Sequence, residues 1–375
     1  MGISSQFCGG NIVCHAADDP QNIRLTITRD NKSDFYQWFY FRLTGANGVA
    51  CKLVIENASG AAYPKGWENY QAVFSADLEA WTRIPGTSYD GKALTIELTP
   101  QHNSIYLAYF APYTMERHAR LIAKVQSSPL TKLSVLGQTL DGRDMDLVTV
   151  GTVGAGKKAL WFTARQHPGE TMAEWWMEGF FQRLLDPSDA VAQALLEQVV
   201  FYVIPNMNPD GSARGHLRTN AAGINLNREW SRPSMARSPE VYLTLQKMRD
   251  TGVDFALDVH GDEALPYNFI AGCEGVPNFS ETQKAVIDGF KAAYVATNSD
   301  FQTEHGYPVN APGKANLSIC GNAIAHQFGC ASMTLEMPFK DNANAPDATQ
   351  GWSPARSKAL GASTLDALVD VLPKI

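Results

Sequence analysis

The chain has 375 residues, a length that favours two domains over one. Hydrophobic residues make up 45% of it and charged residues 18%, which is a globular balance and excludes a disordered or fibrous protein. The formal net charge of -7 argues against a general nucleic-acid-binding protein, because such a protein needs a basic face.

The N-terminal residues and the cysteines bear on the cellular compartment. The first residues lack the basic start and apolar core of a signal peptide, and no apolar run approaches the roughly 18 residues that a membrane-spanning helix needs. The six cysteines are dispersed and form no CxxC pair. We therefore expect a cytoplasmic protein with reduced thiols and no membrane association.

The first 112 residues predict an all-β domain. Short segments rich in β-branched and aromatic residues are separated by turn sequences such as GANG and DGK. The predicted strands cover residues 24–28, 35–43, 51–57, 70–76, 93–99 and 104–112. An antiparallel β-sandwich over 1–112 is the simplest architecture for this pattern.

Residues 113–375 predict a second domain, in which strands and helices alternate. It begins with a helix over 113–126 and a hairpin over 133–151 that turns at Asp141-Gly142. The next predicted elements are a strand over 158–166, a helix over 171–186, a strand running into a turn over 198–211, a helix over 238–252 with Ser238 as its cap and Pro239 at its first position, and strands over 253–262, 268–272 and 330–339. This alternation indicates an α/β domain with a mixed, largely parallel sheet flanked by helices, whose sites form at the carboxyl ends of the strands.

The segment Gln166-His167-Pro168-Gly169-Glu170 is the sharpest candidate for chemistry. It lies between a predicted strand and a predicted helix, so His167 and Glu170 can point to one place. An imidazole and a carboxylate suit zinc, but a catalytic zinc needs a third protein ligand. In isolation the motif is equally compatible with a capped helix start and a surface histidine.

His260 meets the need for a third ligand. It ends the predicted strand FALDV, and Asp258 or Asp262 could hold its other ring nitrogen. The other six histidines have no comparable placement, and for them a structural or exposed position is the expectation.

Two further segments carry polar residues suited to a peptide substrate. Arg218, Asn227 and Arg228 lie in one stretch, and guanidinium groups bind carboxylates in a bidentate manner. The alternative is a solvated loop that pairs with local acids such as Glu229. Glu336 interrupts an apolar strand, where a carboxylate is costly unless it is paired with an arginine or functional.

Together, in this order, these segments resemble the funnelin-type zinc metallocarboxypeptidases. The pattern HxxE, Arg, Asn-Arg, His and Glu is met over about 170 residues of the sequence. HPGET, NPDG, NLNREW, DVHGD and TLEMPF resemble the cytosolic carboxypeptidase branch, and QWFYFRLTG and AYFAPYT resemble the β-sandwich that precedes its catalytic domain. The resemblance thus covers nearly the whole chain.

The resemblance implies a role for each matching residue. One zinc ion would be held by His167, Glu170 and His260. Glu336 would be the general base, Arg218 would stabilise the oxyanion, and Asn227 and Arg228 would bind the terminal carboxylate of the substrate. The implied reaction is hydrolysis of the C-terminal peptide or isopeptide bond of a peptide or protein.

Two residues are matched to the family by order alone. Tyr307 is the candidate for a tyrosine that contacts the substrate, and Lys314 is the candidate for a basic residue that selects acidic side chains such as glutamate. The spacing from Lys314 to Glu336 is longer than the family pattern leads one to expect. An acidic preference is therefore a hypothesis.

Two other functions are compatible with parts of the sequence. Aspartoacylase-like and succinylglutamate desuccinylase-like zinc amidohydrolases also combine HxxE with a distant His and Glu, but they carry their β-domain at the other end. A non-catalytic peptide- or glycan-binding protein could use the sandwich as its binding module, although it would be expected to lose part of the ligand set. The sequence does not indicate an oligomeric state, and it leaves open whether the sandwich restricts access to the site or recruits a protein.

Overall fold

A computed structural model describes residues 1–375 and contains two all-β sheets followed by a larger mixed sheet with helices. The N-terminal strands are β1 Gly2–Ser4, β2 Val13–Ala16, β3 Ile23–Thr26, β4 Tyr40–Thr44, β5 Cys51–Ile55, β6 Val73–Ser75, β7 Thr82–Arg83, β8 Gly86–Tyr89, β9 Leu94–Leu98 and β10 Ser104–Ala108. They form two five-stranded sheets in the orders β1-β4-β10-β6-β7 and β2-β3-β5-β9-β8. All pairs are antiparallel except β3 with β5.

Some predicted strands are shorter than their sequence pattern. The strand predicted over 35–43 begins only at Tyr40, although Trp38 and Phe39 before it are buried. Gln37 explains this, because its side chain donates to the carbonyl of Tyr63 at 3.0 Å and accepts from the N–H of the same residue at 2.8 Å. This segment is thus buried beneath a loop, which contains the 3-10 helices Ala58–Gly60 and Pro64–Trp67, rather than paired in a sheet.

The second unit contains eight α-helices and seven strands. They are α1 Met115–Gln126, β11 Thr131–Gln138, β12 Asp144–Val150, β13 Lys158–Ala164, α2 Met172–Leu184, α3 Ala190–Gln198, β14 Val199–Ile204, α4 Pro209–Arg214, α5 Pro239–Thr251, β15 Phe255–Asp262, β16 Phe269–Ala271, α6 Glu281–Thr297, α7 Cys320–Phe328, β17 Ala331–Pro338 and α8 Pro354–Val371, with 3-10 turns at Leu226–Arg228 and Leu372–Lys374. The strand order is β11-β12-β14-β13-β15-β17-β16. The four central strands β14, β13, β15 and β17 are parallel, and the pairs outside them are antiparallel. The predicted fold class is confirmed.

The structure differs from the predicted elements at several places. Asn208–Gly211 is not a free turn but the start of α4, where the Asn208 side chain accepts from the Gly211 N–H at 3.0 Å. Ser238 occupies the N-cap position of α5 but does not cap it, because its hydroxyl donates to Glu229 at 3.3 Å. Pro239 is the first residue of α5, as predicted. Helices α3, α6, α7 and α8 have no counterpart among the predicted elements.

One hydrophobic cluster joins the two units. Its 78 buried residues extend from the sandwich to the face of the large sheet covered by α2, α6 and α8. Tyr109 of the sandwich stacks on Phe339, which follows β17, with ring centroids 4.6 Å apart. A second cluster of 19 buried residues lies on the opposite face, under α5 and α7. None of the helices combines the length and the apolar character that crossing a bilayer would require.

Candidate metal centre and active site

The turn between β13 and α2 brings His167 and Glu170 to the carboxyl edge of the sheet. Arg165, the residue after β13, adopts φ 57°, which redirects the chain. Its buried guanidinium donates to the carbonyl of Pro168 at 3.0 Å and to that of Tyr113 at 2.5 Å. The turn is therefore held from inside by an arginine side chain.

The three predicted metal ligands lie together. Glu170 is 2.6 Å from Nδ1 of His167 through one oxygen and 2.8 Å from Nδ1 of His260 through the other. The two Nδ1 atoms are 3.2 Å apart, and the three side chains form a group able to hold a metal ion. All three are buried, with 3% or less of each residue exposed, so the surface-histidine alternative does not describe His167.

The outer nitrogen of each imidazole has its own partner. Nε2 of His260 is 2.6 Å from Asp258, and Nε2 of His167 is 3.0 Å from the side-chain oxygen of Asn225. Asp258 is held in turn by the hydroxyl of Thr163 at 2.7 Å and the amide of Gln166 at 2.5 Å. These partners orient both Nδ1 atoms toward the same point, as supporting groups do in metal sites.

The three side chains of the group differ in how their surroundings shift their pKa values. Burial, with Arg218 nearby, lowers the pKa of His167 to about 4, which keeps the imidazole neutral. Burial opposes ionisation of Glu170, but His167 and His260 outweigh it and lower the pKa of this carboxyl. Burial opposes the charged form of His260, but Asp258 and Glu170 outweigh it and raise its pKa well above the usual range, so a metal ion has to displace a proton from this imidazole. Two nitrogens and a carboxylate are the kind of donor set that zinc takes in proteins.

Glu336 lies beside this group. Strands β15 and β17 pair in parallel, with His260 opposite Glu336. One carboxylate oxygen of Glu336, Oε2, is buried without a hydrogen-bond partner, and no arginine pairs with it. Burial raises the pKa of Glu336 well above its usual range; His260 opposes this rise and Glu170 adds to it.

Tyr307 reaches the same point from a long, largely exposed segment between α6 and α7. Its hydroxyl is 2.5 Å from Asp262 and 3.3 Å from Glu336. Asp262 thus contacts the tyrosine, whereas Asp258 is the residue that holds His260. Of the two aspartates that the sequence offered for the histidine, the structure selects Asp258.

Arg218, Asn227 and Arg228 line the same cavity as His167 and Glu170. The Arg218 guanidinium makes no hydrogen bond or ion pair with the protein, and it lies over the ring of Tyr63 at 5.4 Å. Asn227 accepts from the N–H of Cys320 at 2.8 Å, which ties this loop to α7. Partial burial, and then Arg218, lower the pKa of Arg228, so the two guanidiniums share one electrostatic environment. Glu229 pairs with Arg237 and not with either of them.

These side chains surround a cavity of about 680 Å³. Seven of the nine predicted site residues line it: His167, Glu170, Arg218, Asn227, Arg228, Tyr307 and Glu336. His260 lies just beneath the surface of the cavity, with 1% of its surface exposed. Lys314 is exposed and does not line the cavity, whereas Lys291 of α6 does.

Family comparison decides between the functions that the sequence left open. Residues 118–350 match the family model described as zinc carboxypeptidase, and residues 3–110 match the one described as cytosolic carboxypeptidase N-terminal domain. The chain belongs to the zinc carboxypeptidase family. It is a metallocarboxypeptidase. The family comparison supports neither the amidohydrolase alternative nor the non-catalytic alternative.

Solved structures of other family members agree over the full length. A metallo-carboxypeptidase from Burkholderia cenocepacia is 49% identical, with a TM-score of 0.97 and 100% of both chains covered. A metallo-carboxypeptidase from Pseudomonas aeruginosa, in complex with (2-guanidinoethylmercapto)succinic acid, is 44% identical with the same TM-score and coverage.

Curated relatives include longer proteins. Human cytosolic carboxypeptidase 1 is 28% identical over 349 residues, which span 80% of this carboxypeptidase but only 28% of the human protein. An uncharacterised protein of Zymomonas mobilis is 49% identical over 374 residues and is covered to 97% of its length.

Besides Lys291, several residues at or next to the site of this carboxypeptidase were not among the predicted ones. Asn225 stands two residues before the predicted Asn227, and its place in the NLNREW segment is a signal that could have indicated it. Glu263, directly after the DVHGD segment, is buried and lines the cavity. Tyr63 and Asp30 belong to the sandwich, and no pattern in the sequence connects them to the site.

Proposed function

We propose that this carboxypeptidase uses one zinc ion to hydrolyse the C-terminal peptide or isopeptide bond of peptides or proteins. The observation that carries the proposal is the placement of Glu336. Its carboxylate has one unpartnered oxygen, it stands beside His260 in the sheet, and it lines the same cavity as two arginines. Such a site offers a base and a carboxylate-binding region to one substrate.

The donor set supports zinc as the metal. His167, Glu170 and His260 would hold it, and Asp258 and Asn225 would keep the two imidazoles oriented. When bound, zinc lowers the pKa of water to about 7 and polarises a carbonyl group.

Glu336 is the proposed general base. It takes a proton from the attacking water and later delivers it to the leaving amine. Its raised pKa favours this exchange, because a carboxylate that is easier to protonate transfers protons near neutral pH.

The arginines are proposed to bind two negatively charged groups, the oxyanion of the reaction and the terminal carboxylate of the substrate. The guanidinium of Arg218, free of protein partners, stabilises the oxyanion that develops at the scissile carbonyl. Arg228 and Asn227 bind the terminal carboxylate, which restricts cleavage to chain ends. A substrate without that carboxylate would leave Arg228 with no anionic partner in the cavity, since its guanidinium otherwise donates only to the Asn227 carbonyl at 2.6 Å.

A pair of matched peptides tests the proposal. Zinc-loaded protein should release the last residue of a peptide with a free C-terminus and leave the C-terminally amidated peptide intact. Chelation should remove the activity, and zinc should restore it. Cleavage of N-acyl amino acids but not of peptides would instead indicate an amidohydrolase.

We further propose a preference for acidic C-terminal residues. Lys291 supports this preference, because it lines the cavity and its ammonium is 3.5 Å from the Glu274 carboxylate. A substrate carboxylate could take the place of Glu274 as the partner of this lysine. Lys314, the residue indicated by the family resemblance, is exposed.

Release of glutamate, leucine and lysine from otherwise identical peptides measures the preference. We expect glutamate to be released fastest and Lys291→Gln to lower its kcat/KM more than Lys314→Gln does. A larger effect of Lys314→Gln would return the selecting role to that residue. Equal or faster release of leucine by the unmodified enzyme would contradict the preference.

A cytoplasmic location is also proposed. All six cysteines are free, and the curated relatives include cytosolic carboxypeptidases. Fractionation of cells that express the protein at its native level tests this, and recovery outside the cytoplasm would contradict it.

A further inference from the structure

The loop that carries Arg218 is anchored by a buried carboxylate of the N-terminal sandwich. Asp30 is 3% exposed and accepts from the backbone N–H of Leu217 at 2.7 Å. It also accepts from the N–H groups of Arg218 and Thr219, both at 2.8 Å, and from the Thr219 hydroxyl at 3.0 Å. Hydrogen bonds to an ionised acceptor are strong, so four of them to one side chain fix the path of this loop.

The Arg218 side chain has no comparable polar anchor. Its guanidinium donates to no protein atom, and its nearest defined contacts are the rings of Phe35, 5.6 Å away, and Tyr63, 5.4 Å away. Both rings belong to the sandwich. The position of the guanidinium therefore depends on its backbone and on two aromatic faces, and the N-terminal domain supplies the support for each.

The same loop touches the sandwich at both ends. Gly215 has φ 70°, and a Cβ there would lie 2.6 Å from the Gly10 carbonyl. Gly223 has φ 79°, and a Cβ there would lie 2.4 Å from the Lys32 carbonyl. Between them, the Asn31 side chain donates to the Ala221 carbonyl at 2.8 Å. Such close backbone approaches leave the loop little freedom of its own.

We propose that Asp30 is a positioning residue for Arg218, and that the N-terminal sandwich is a working part of the active site. The inference rests on the proposed role of Arg218 as oxyanion stabiliser. Asp30 acts through the backbone of residues 217–219 and sets where the guanidinium stands relative to the metal ligands. A displacement of about 1 Å at such a group is enough to cost roughly 100-fold in rate.

A double-mutant cycle on the full chain tests the coupling. Asp30→Asn removes the charge at nearly constant volume, and we expect kcat to fall roughly 10- to 100-fold with KM and zinc content little changed. Arg218→Ala should lower kcat by roughly 100- to 1000-fold. In the Arg218→Ala background, Asp30→Asn should cause no further loss, because its effect passes through the missing side chain.

Asp34→Asn is the matched control. It lies in the same segment, but its carboxylate is 93% exposed and pairs only with the exposed Arg29. It should leave kcat unchanged. Full additivity of Asp30→Asn and Arg218→Ala, loss of zinc in Asp30→Asn, or unchanged kcat in Asp30→Asn would each overturn the proposal.

Amide hydrogen exchange gives a readout that does not depend on activity. The amides of residues 217–219 should exchange slowly in the unmodified protein and faster in Asp30→Asn, and equal rates would overturn the anchor. Full activity of Arg218→Ala would contradict the proposed function of Arg218, while the exchange rates would still report on the anchor. If Asp30→Asn does not fold, Thr219→Val removes one of the four donors and should produce a smaller change of the same kind.

Discussion

Glu336 is a carboxyl group in a place where burial alone is unfavourable. It carries a buried oxygen without a partner, and its pKa is raised because the cavity wall removes it from water. Within the protein, this side chain makes one long hydrogen bond, from the Tyr307 hydroxyl at 3.3 Å, which offsets little of the cost of burial. Its presence on β17 is therefore best explained by the reaction, and substitution should separate activity from stability.

Glu336→Gln should lower kcat by roughly 100- to 10,000-fold, because it removes the base and leaves the shape of the site. Zinc content should stay the same, since no metal ligand changes. The thermal midpoint should be equal or higher, because a neutral amide is less costly to bury than a carboxylate. Glu97→Gln, on an exposed side chain of the sandwich, is the control and should leave kcat, zinc content and the thermal midpoint unchanged.

His167→Ala should remove the metal as well as the activity, whereas Glu336→Gln should remove the activity alone. Removing one of the three proposed ligands should leave His260 and Glu170 unable to retain the ion, so metal analysis should show a loss from the proposed one zinc per chain toward none. Activity should fall with the metal content. His15→Ala, at an exposed histidine of the sandwich, should keep both the metal and the activity. Retention of zinc by His167→Ala would show that another side chain is the ligand.

At the scale of elements, the sequence predicts best where local pattern and local structure coincide. Strands β13 and β15 are continuous apolar runs that end in polar motifs, so both their existence and the position of the proposed metal ligands after them follow from sequence. The predicted start of strand 35–43 was wrong, because the side chain of Gln37 forms its hydrogen bonds with a loop distant in sequence. Asp30 could not be connected to Arg218 for the same reason, since 188 positions separate them and only packing brings them together.

Helix α1 packs against α2 and β12 and places a buried histidine between two carboxylates. His118 of α1 is 2.7 Å from Glu174 and 3.5 Å from Asp146. Burial disfavours its charged form, but the two carboxylates outweigh burial and raise the pKa of His118 to about 9. The charged histidine therefore stabilises the junction of these elements.

This pKa predicts how stability depends on pH. A raised pKa in the folded state means that the contribution is complete below about 6.5, the value for an unfolded histidine, and is lost as the pH rises through about 9. At about 1.4 kcal/mol per pKa unit, the loss is of the order of 3 kcal/mol. Urea unfolding at pH 6.5 and pH 9.5 should show that His118→Gln is clearly less stable than the unmodified protein at the lower pH. The difference should narrow at the higher pH, and a gap of constant size would contradict the assignment.

At the scale of the whole molecule, the two units share more than a covalent link. The larger hydrophobic cluster is continuous between them, and Tyr109 stacks on Phe339 across the junction. Arg83 of the sandwich also pairs with Asp341 at 3.2 Å, with 9% and 18% of the two side chains exposed. Independent domains usually meet through smaller and more polar contacts.

We therefore expect the chain to unfold as one cooperative unit. Trp67 lies in the sandwich and Trp230 in the catalytic unit, and both are fully buried. Single-tryptophan variants that keep one or the other should report the same midpoint in urea, and the calorimetric and van't Hoff enthalpies should agree. Leu53→Ala, in the core of the sandwich, should shift both midpoints equally, and it should lower the free energy of unfolding by the 2–5 kcal/mol typical of such a cavity. If only the Trp67 signal shifted, the sandwich would be an independent domain, and its role as a fixed support for Arg218 would need another explanation.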